Sequence, residues 1–514
     1  MLGTMTLVSF NFIAFFCLSL AIYYTVPVKY RNYCLIIFSV IFFVFSSRPI
    51  TIIYLFASIV ITSLSVHYIL RGKAKNLPAL SKIWTIIGVL GNISMLIALK
   101  YLGFIITILN SSIIKIVTNN RELLVPQLIA PLGISFYTLS AIGYILDSYW
   151  SVCTPTSSLF KNALFISYWP ALTSGPIIKY SSVQGELFKE HRFDYEHVCF
   201  GIQRMLWGFI KKLVLSARFA IIVDSIYSNT DSYNGMYLWV AAVCFVMQLY
   251  TDFSGCMDII LGASECYGIC LSENFRAPFF AKSIQEFWQR WHITLGVWFK
   301  EYVLYPILNS KIMTSFEKRL KTKYSRKVGR LITSCLGMLF VWILIGLWHG
   351  GGWNYLAMGL YFWLLISFEK ITISKFDALW EKLKVPVKTT GWKFLKSFKV
   401  FILIVIGFVL FRIHSIKTVL YNFKLSLKLN PWIFFDGSFW ELGILPRDIN
   451  ILVIGTVALV LVSLFNRSNN VRVSIAKQPL IIRWIIYLAL LFIPLIYGIY
   501  GPGYDAQVFI YEQF

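Results

Sequence analysis

Histidine is the side chain best suited to acid–base chemistry in this sequence, and only six histidines occur in its 514 residues. His349 ends a long apolar run and is followed by three glycines, in the segment GLWHGGGW at residues 346–353. An imidazole titrates near neutral pH and can act as a general base. A histidine between tryptophans can also be a packed, hydrogen-bonded residue, but an ionisable group at membrane depth is a functional candidate by default. We therefore take His349 as the first candidate for chemistry.

A second histidine, His292, lies in the segment EFWQRWHITL at residues 286–295. From Ser283 to Tyr302, apolar and aromatic residues recur at helical spacing while charged residues fill the other face. This pattern predicts one amphipathic helix that is too charged to span a membrane. Such a helix would lie at the interface or fill a groove between spans, with His292 at the edge of its apolar stripe.

Two carboxylates, Asp252 and Asp258, interrupt a largely apolar stretch. They are six residues apart and so do not share a helical face, which argues against a paired-carboxylate site. Helix capping or internal hydrogen bonding and the lining of a substrate path stay open as alternatives. Arg276, Arg290 and Lys300 could contact the phosphates of a substrate, or could be solvated or lipid-facing.

Other kinds of catalytic site find little support in the sequence. The nine cysteines are scattered, and the CxxxC pair of Cys266 and Cys270 lacks the histidine or second cysteine pair of a zinc site. We expect buried apolar cysteines and no metal. No Ser-His-Asp set or GxSxG motif indicates a serine nucleophile.

The elements that must position these residues are membrane helices. Hydrophobic residues make up 58% of the chain and charged residues 14%, against about 25% charged residues in a typical soluble domain. Apolar runs near the 20 residues needed to cross a bilayer recur along the sequence. We predict an all-α, polytopic membrane protein with about ten clear spans and three weaker ones. The first run, Thr6–Val26, lacks a basic flank and a cleavage site, so we expect a retained helix.

The formal net charge of +24 would suggest nucleic acid in a soluble protein. In a membrane protein, an excess of lysine and arginine marks the cytoplasmic loops. The densest run, Lys311–Arg330, has eight basic residues and one acid, Glu317. We place this loop in the cytoplasm against anionic lipid headgroups and expect no nucleic-acid partner.

The chain reads as a single integral-membrane domain over residues 1–514, without an internal repeat. Residues 1–110 are apolar spans with short basic turns, which is typical of a scaffold. Residues 126–372 are broken by glycine and proline and carry polar residues, which are tolerated at membrane depth only inside protein or along a cavity. Residues 392–514 return to ordinary spans. We therefore expect the working site in the middle part.

The motifs of this middle part resemble those of the membrane-bound O-acyltransferases. The segment at 285–306 resembles the family's central motif, and residues 346–353 resemble its second histidine motif. Further segments fit the bacterial branch that O-acetylates alginate or D-alanylates teichoic acid: PLGISFY at 131–137, SGPI at 174–177, DFSG at 252–255, ENFRAP at 273–278 and the closing FIYEQF at 509–514. The resemblance runs over nearly the whole chain.

The resemblance implies a ring of roughly 10–13 membrane helices around a transmembrane tunnel, in a multi-pass protein of a bacterial cell membrane. It implies that His349 is catalytic and that His292 holds the family's second, more supporting position. We expect seven further residues along the substrate path: Trp348, Asn354, Trp291, Arg290, Asp252, Asp258 and Asn274. Trp348, Asn354 and the backbone amides of 350–352 could orient the substrates or the oxyanion.

The resemblance also implies the substrates. The acyl donor is a cytosolic thioester, either acetyl-CoA or an acyl-carrier phosphopantetheine, and no permanently bound cofactor is expected. The acceptor is a cell-surface polysaccharide hydroxyl, reached directly or through an exported acyltransferase partner on the outer side. Two alternatives stay open: D-alanyl transfer from a carrier protein toward teichoic acid, and a transporter or flippase, since broken helices and buried charges also mark those proteins.

Overall fold

The structure, a computed structural model, describes residues 5–111, 123–126, 128–230 and 232–500. Over these ranges the chain is helical and contains no strand, apart from one isolated antiparallel bridge between Phe275 and Trp291. The closing segment at 509–514 lies outside the described residues. The first four helices are α1 (Phe10–Thr25), α2 (Arg31–Ser46), α3 (Ile52–Ala74) and α4 (Pro78–Leu109).

The middle part contains both long helices and short helical segments. Its helices are α5 (Ile134–Trp150), α6 (Leu159–Ser167), α7 (Trp169–Leu172), α8 (Tyr180–Leu187), α9 (Tyr195–Phe209), α10 (Ala217–Tyr227), α11 (Met236–Cys266), α12 (Ile284–Trp288), α13 (Ile293–Phe299), α14 (Tyr305–Asn309), α15 (Lys311–Lys323), α16 (Arg326–His349) and α17 (Trp353–Lys382). The last helices are α18 (Thr390–Arg412), α19 (Ile416–Ser426), α20 (Pro446–Phe465), α21 (Val471–Ala476) and α22 (Leu480–Tyr497).

The described residues contain nine helices that are long and apolar enough to cross a membrane, and α1 is a shorter apolar helix. This confirms the prediction of an all-α, polytopic membrane protein. The count stands near the lower end of the expected range, because several apolar stretches of the middle part fold into short helices such as α6 and α7. The division into scaffold, core and C-terminal spans stays a prediction.

The prediction of one amphipathic helix from Ser283 to Tyr302 is wrong. Helix α12 begins where the Ser283 hydroxyl accepts the backbone N–H of Glu286 at 3.0 Å, and it ends at Trp288. The chain then forms the bridge from Trp291 to Phe275 and turns at His292, whose φ is 48°. A second helix, α13, starts at the next residue.

The cavity described below is lined by the ends of helices that are far apart in sequence. It is lined by Arg48, just before α3, and by His349, the last residue of α16. The opposite end of α3 carries basic residues at 71–75, and α16 is preceded there by the basic helix α15. We call this opposite end, defined by residues 71–75 and α15, the basic end. The positive-inside rule places it in the cytoplasm.

Candidate active site

His349 lies at the end of α16 that is far from the basic end. The hydroxyl of Ser325 caps the start of α16 by accepting the N–H of Val328, and 24 residues of uninterrupted helix follow. At 1.5 Å per residue this helix carries His349 about 35 Å from its start, roughly one membrane thickness. The imidazole is buried, 4.9 Å from the ring of Trp348 and 5.2 Å from that of Phe411, measured between centroids.

The next helix packs closely against α16 just before His349. A Cβ atom on Gly346 would lie 2.6 Å from the backbone oxygen of Tyr355, and one on Gly359 would lie 2.3 Å from that of Trp342. Contacts this short with backbone atoms exclude any side chain at the two positions. The glycines therefore let α16 and α17 approach closely and fix the helix end that carries His349.

A cavity of about 280 Å³ opens beside His349. Its fourteen lining residues come from five parts of the chain: Ser47, Arg48, Lys100, Ile129, Ala130, Pro131, Leu132, Gly133, Ile134, Ser135, Phe136, Thr173, Trp348 and His349. Gly133 has a φ of 77°, and a Cβ there would lie 2.2 Å from the backbone oxygen of Leu172. The PLGISFY motif thus forms one wall of the cavity because its glycine permits both a left-handed turn and a close approach.

Trp348 packs against both histidines. The ring of His292 lies 5.5 Å from that of Trp348, on which His349 also packs, and Phe253 packs on His292 at 4.8 Å. Both histidines are almost completely buried, at 2% exposure for His292 and 5% for His349. His292 is not among the residues that line the cavity, whereas His349 and Trp348 are.

Asn274 fixes the orientation of His292. The Asn274 side-chain oxygen accepts the backbone N–H of Thr294 at 3.0 Å and its hydroxyl at 3.0 Å, and lies 3.3 Å from Nδ1 of His292. Because a backbone N–H can only donate, this atom of Asn274 is the oxygen, and Nδ1 of His292 must carry the proton. The neutral ring then presents Nε2 as its acceptor nitrogen.

The left-handed conformation of His292 depends on pairing with a distant segment. Besides the bridge between Phe275 and Trp291, the N–H of Arg276 donates to the carbonyl of Arg290, and that of Ile293 donates to Asn274. A non-glycine residue at positive φ is strained and persists only where its surroundings hold it. The ENFRAP motif therefore holds His292 in place.

Three of the expected substrate-path residues make protein contacts away from the cavity lining. Arg290 pairs with Glu286 at 2.6 Å, and Trp291 is buried against aromatic rings. The amide of Asn354 donates to the carbonyl of Leu410 at 3.3 Å. A role in binding substrate stays a prediction for these residues.

Asp252 and Asp258 form separate ion pairs. Asp252 pairs with Lys212, and Asp258 pairs with Lys211 at 2.6 Å and Arg204 at 3.0 Å. Both lysines lie in a π-helical stretch, Ile210–Ser216, which joins α9 to α10. The two carboxylates do not line the cavity, and their contacts are those of an internal ion network.

Sequence reasoning missed two basic residues of the cavity. Lys100 lies in a π-turn of α4, Ile97–Tyr101, and its ammonium donates to the carbonyl of Trp348 at 2.9 Å and to Ser135 at 3.4 Å. Arg48 lies in the exposed loop between α2 and α3. A charged residue in a membrane span was the signal that could have identified Lys100.

Metal chemistry has no visible support in this site. Within the ranges that the structure describes, no group of three or more His, Cys, Asp or Glu side chains could hold a metal ion. The geometry instead offers a buried imidazole beside a cavity, with hydroxyls, an ammonium and an indole nearby. Such a set suits proton transfer to and from a substrate hydroxyl.

Comparisons with known proteins agree with this chemistry. The membrane-bound O-acyltransferase family matches residues 154–316, a stretch that includes His292 and ends before His349. The probable alginate O-acetylase AlgI of Azotobacter vinelandii is 28% identical over 82% of this chain and 78% of its own length. The peptidoglycan O-acetyltransferase of Helicobacter pylori is 29% identical over 57% of this chain and 56% of its own. The teichoic acid D-alanyltransferase of Bacillus subtilis is 30% identical over 48% of this chain and 61% of its own.

The similarity to the relatives extends beyond residues 154–316. The structure independently shows a helical membrane architecture over the described residues. The comparisons therefore support the acyltransferase hypothesis over the transporter hypothesis. This protein is a multi-pass membrane acyltransferase whose residues 154–316 match the membrane-bound O-acyltransferase family.

Proposed function

We propose that the protein transfers an acyl group, acetyl in the first instance, from a cytosolic thioester toward hydroxyls of a cell-surface polysaccharide, with His349 as general base. The observation that carries this proposal is the position of His349. It is buried, lines a cavity, and lies about one membrane thickness from the basic end.

The proposed step needs one base and one oxyanion site. The His349 imidazole takes the proton of the acceptor hydroxyl as its oxygen attacks the thioester carbonyl. The tetrahedral intermediate then collapses to the ester and expels the thiolate, which takes up the proton from the imidazolium. Backbone amides at 350–352 and the indole N–H of Trp348 are candidate donors to the oxyanion.

The substrates follow from the relatives and from the polarity of the molecule. Two of the relatives are named as O-acetylating enzymes that act on alginate or peptidoglycan. Acetyl-CoA or an acyl-carrier thioester would arrive at the basic end. Arg276 is exposed and is a candidate for contact with its phosphates. The acceptor, or an exported partner that relays the acyl group, would arrive from the opposite side.

The test compares acyl transfer in membranes that contain the wild type or His349→Ala, with radiolabelled acetyl-CoA as donor. We expect label in the polysaccharide fraction or in an exported protein with the wild type only. His67→Ala is the matched control, because His67 is an exposed histidine of a membrane helix. An active, normally expressed His349→Ala protein would refute the assignment.

A second candidate is D-alanyl transfer from a carrier protein toward teichoic acid, favoured by the 30% identity to the Bacillus subtilis enzyme. Membranes supplied with a D-alanyl-loaded carrier protein in place of acetyl-CoA test this candidate. Transfer that depends on His349 with this donor alone would replace the acetyl proposal and leave the general base unchanged.

A further inference from the structure

The cavity beside His349 carries positive charge and no negative charge. Of its fourteen lining residues, Arg48 and Lys100 are basic and none is acidic. Within the described part of the chain, neither cation forms an ion pair. The two side chains come from different elements, the loop before α3 and the π-turn of α4, and both line this cavity.

Four other cations of the middle part are neutralised by carboxylates. Lys211, Lys212 and Arg204 pair with Asp258 or Asp252. Arg218 pairs with Asp448 at 2.9 Å. Lys100 differs from these four because its two acceptors, a carbonyl and a hydroxyl, are both neutral.

An ammonium group has three N–H donors, and the described residues supply Lys100 with two acceptors. Placing a cation in a membrane span is costly, so such residues mark the paths of ions or substrates. Here the ammonium lies over the ring of Trp348, at 5.8 Å from its centroid, and Trp348 in turn packs on His349. An anion in the cavity would neutralise the charge and lie close to the catalytic imidazole.

We propose that Arg48 and Lys100 form an anion subsite that holds a carboxylate or phosphate of the acceptor while its hydroxyl faces His349. This inference rests on the proposed function for the role of His349. The two cations would bind the group by charge-assisted hydrogen bonds, with Ser135 and Thr173 as neighbouring hydroxyl donors. The site would then favour acceptors whose reactive hydroxyl is close to a negative charge.

The position of the subsite assigns the anion to the acceptor. Arg48 precedes α3 at the end opposite to residues 71–75, and Lys100 lies 22 residues into α4, about 33 Å along the helix from its start near the basic end. The phosphates of a cytosolic donor would remain at the basic end. An anion that reaches Arg48 therefore arrives from the other side of the membrane, with the acceptor.

The first experiment measures binding, so that it does not depend on activity. Purified His349→Ala protein is titrated with a fluorescent uronic acid hexasaccharide, with the same oligosaccharide after reduction of its carboxyl groups, and with a glycerol phosphate oligomer. We expect an anionic oligomer to bind at least about tenfold more tightly than the neutral one. Arg48→Gln and Lys100→Gln should each remove most of this preference, and 1 M salt should weaken it at the exposed Arg48.

The controls separate the subsite from a general structural effect. Arg48→Lys keeps the charge and should keep the preference, and Lys29→Gln, an exposed lysine at the start of α2, should change nothing. Arg48 is exposed, so its replacement leaves the fold intact even if Lys100→Gln does not. The comparison of uronate with glycerol phosphate shows which of the two sources of the anion the site accepts.

Two results would overturn the subsite: equal affinity for the anionic and neutral oligomers, or an equal loss for both in the two glutamine variants. In membranes that contain the protein with His349 intact, Arg48→Gln and Lys100→Gln should each raise KM for the anionic acceptor and leave kcat largely unchanged. A fall in kcat for both acceptors alike would make Lys100 an oxyanion donor instead. A preference for the anionic oligomer without any His349-dependent acyl transfer would refute the proposed function but not the subsite.

Discussion

Replacement of Asn274 by alanine tests whether the second histidine acts through its fixed orientation. The Asn274 side-chain oxygen is the acceptor for the N–H of Thr294 and for Nδ1 of His292. Without it, these two buried N–H donors lose this acceptor, and so does the hydroxyl of Thr294. At about 1–3 kcal/mol for each unsatisfied donor, the two N–H groups alone destabilise the ordered loop around His292 by about 2–6 kcal/mol.

The lower value of about 2 kcal/mol corresponds to a factor of about 30 in the ratio of ordered to disordered loop. The strain of the left-handed conformation at His292, with φ at 48°, works in the same direction once its support is lost. We therefore expect Asn274→Ala to lower kcat, by up to about 30-fold at this lower value, with a small change in KM because neither residue lines the cavity.

The assay is a double-mutant cycle with His292→Asn. Asparagine is among the residues that adopt a positive φ most readily, so this variant removes the imidazole and keeps the backbone turn. If Asn274 acts through His292, the double variant is no slower than the slower single variant. Additive losses, with both single variants melting at the wild-type temperature in detergent, would refute the reasoning.

Three further predictions concern the framework of the site. Gly346→Val should destabilise the crossing of α16 and α17 by about 1–3 kcal/mol, because a Cβ would lie 2.6 Å from a facing backbone oxygen. The melting temperature of this variant in detergent should fall. Gly391→Ala, with no atom within 4 Å of its Cβ, should melt like the wild type. Asp258→Asn should cost about 3–5 kcal/mol by the same measurement because it leaves the buried Lys211 without its carboxylate and Arg204 with Glu273 alone. Glu273→Gln, at 56% side-chain exposure, should cost about 0–1 kcal/mol. Arg48→Cys should react with a membrane-impermeant maleimide in intact cells, unlike the parent protein; reaction only after permeabilisation would place the cavity on the cytosolic side.

The sequence predicted His349 and its helix because both depend on local features. The apolar run of α16 has no proline or internal charge, so a straight span could be expected, and the glycines that follow mark its end. The role of Gly346 could not be read from the sequence in the same way. Its need for a hydrogen in place of a side chain comes from the facing backbone of α17, a contact that exists only after the two helices pack.

The break at His292 shows where periodicity fails. The helical spacing of apolar residues continues from Ser283 to Tyr302 without interruption, so the pattern predicts one helix. In the structure, the segment at 274–276 pairs with residues 290–293 and turns the chain there. This pairing joins residues 14–19 positions apart and overrides the local preference, and the local sequence does not indicate it.

Lys100 shows the opposite failure, in which a local signal was present and was not used. It lies in α4, a span whose mean hydropathy of 1.9 passes easily as lipid-facing scaffold. A single lysine deep in such a span is costly unless its charge has a use, and this cost was visible in the sequence. The structure shows that the π-turn around Lys100 brings its ammonium to the carbonyl of Trp348. A scaffold helix and the histidine motif thus contribute to one cavity. One of the two positive charges of that cavity, Lys100, comes from the helix that was expected to carry no chemistry.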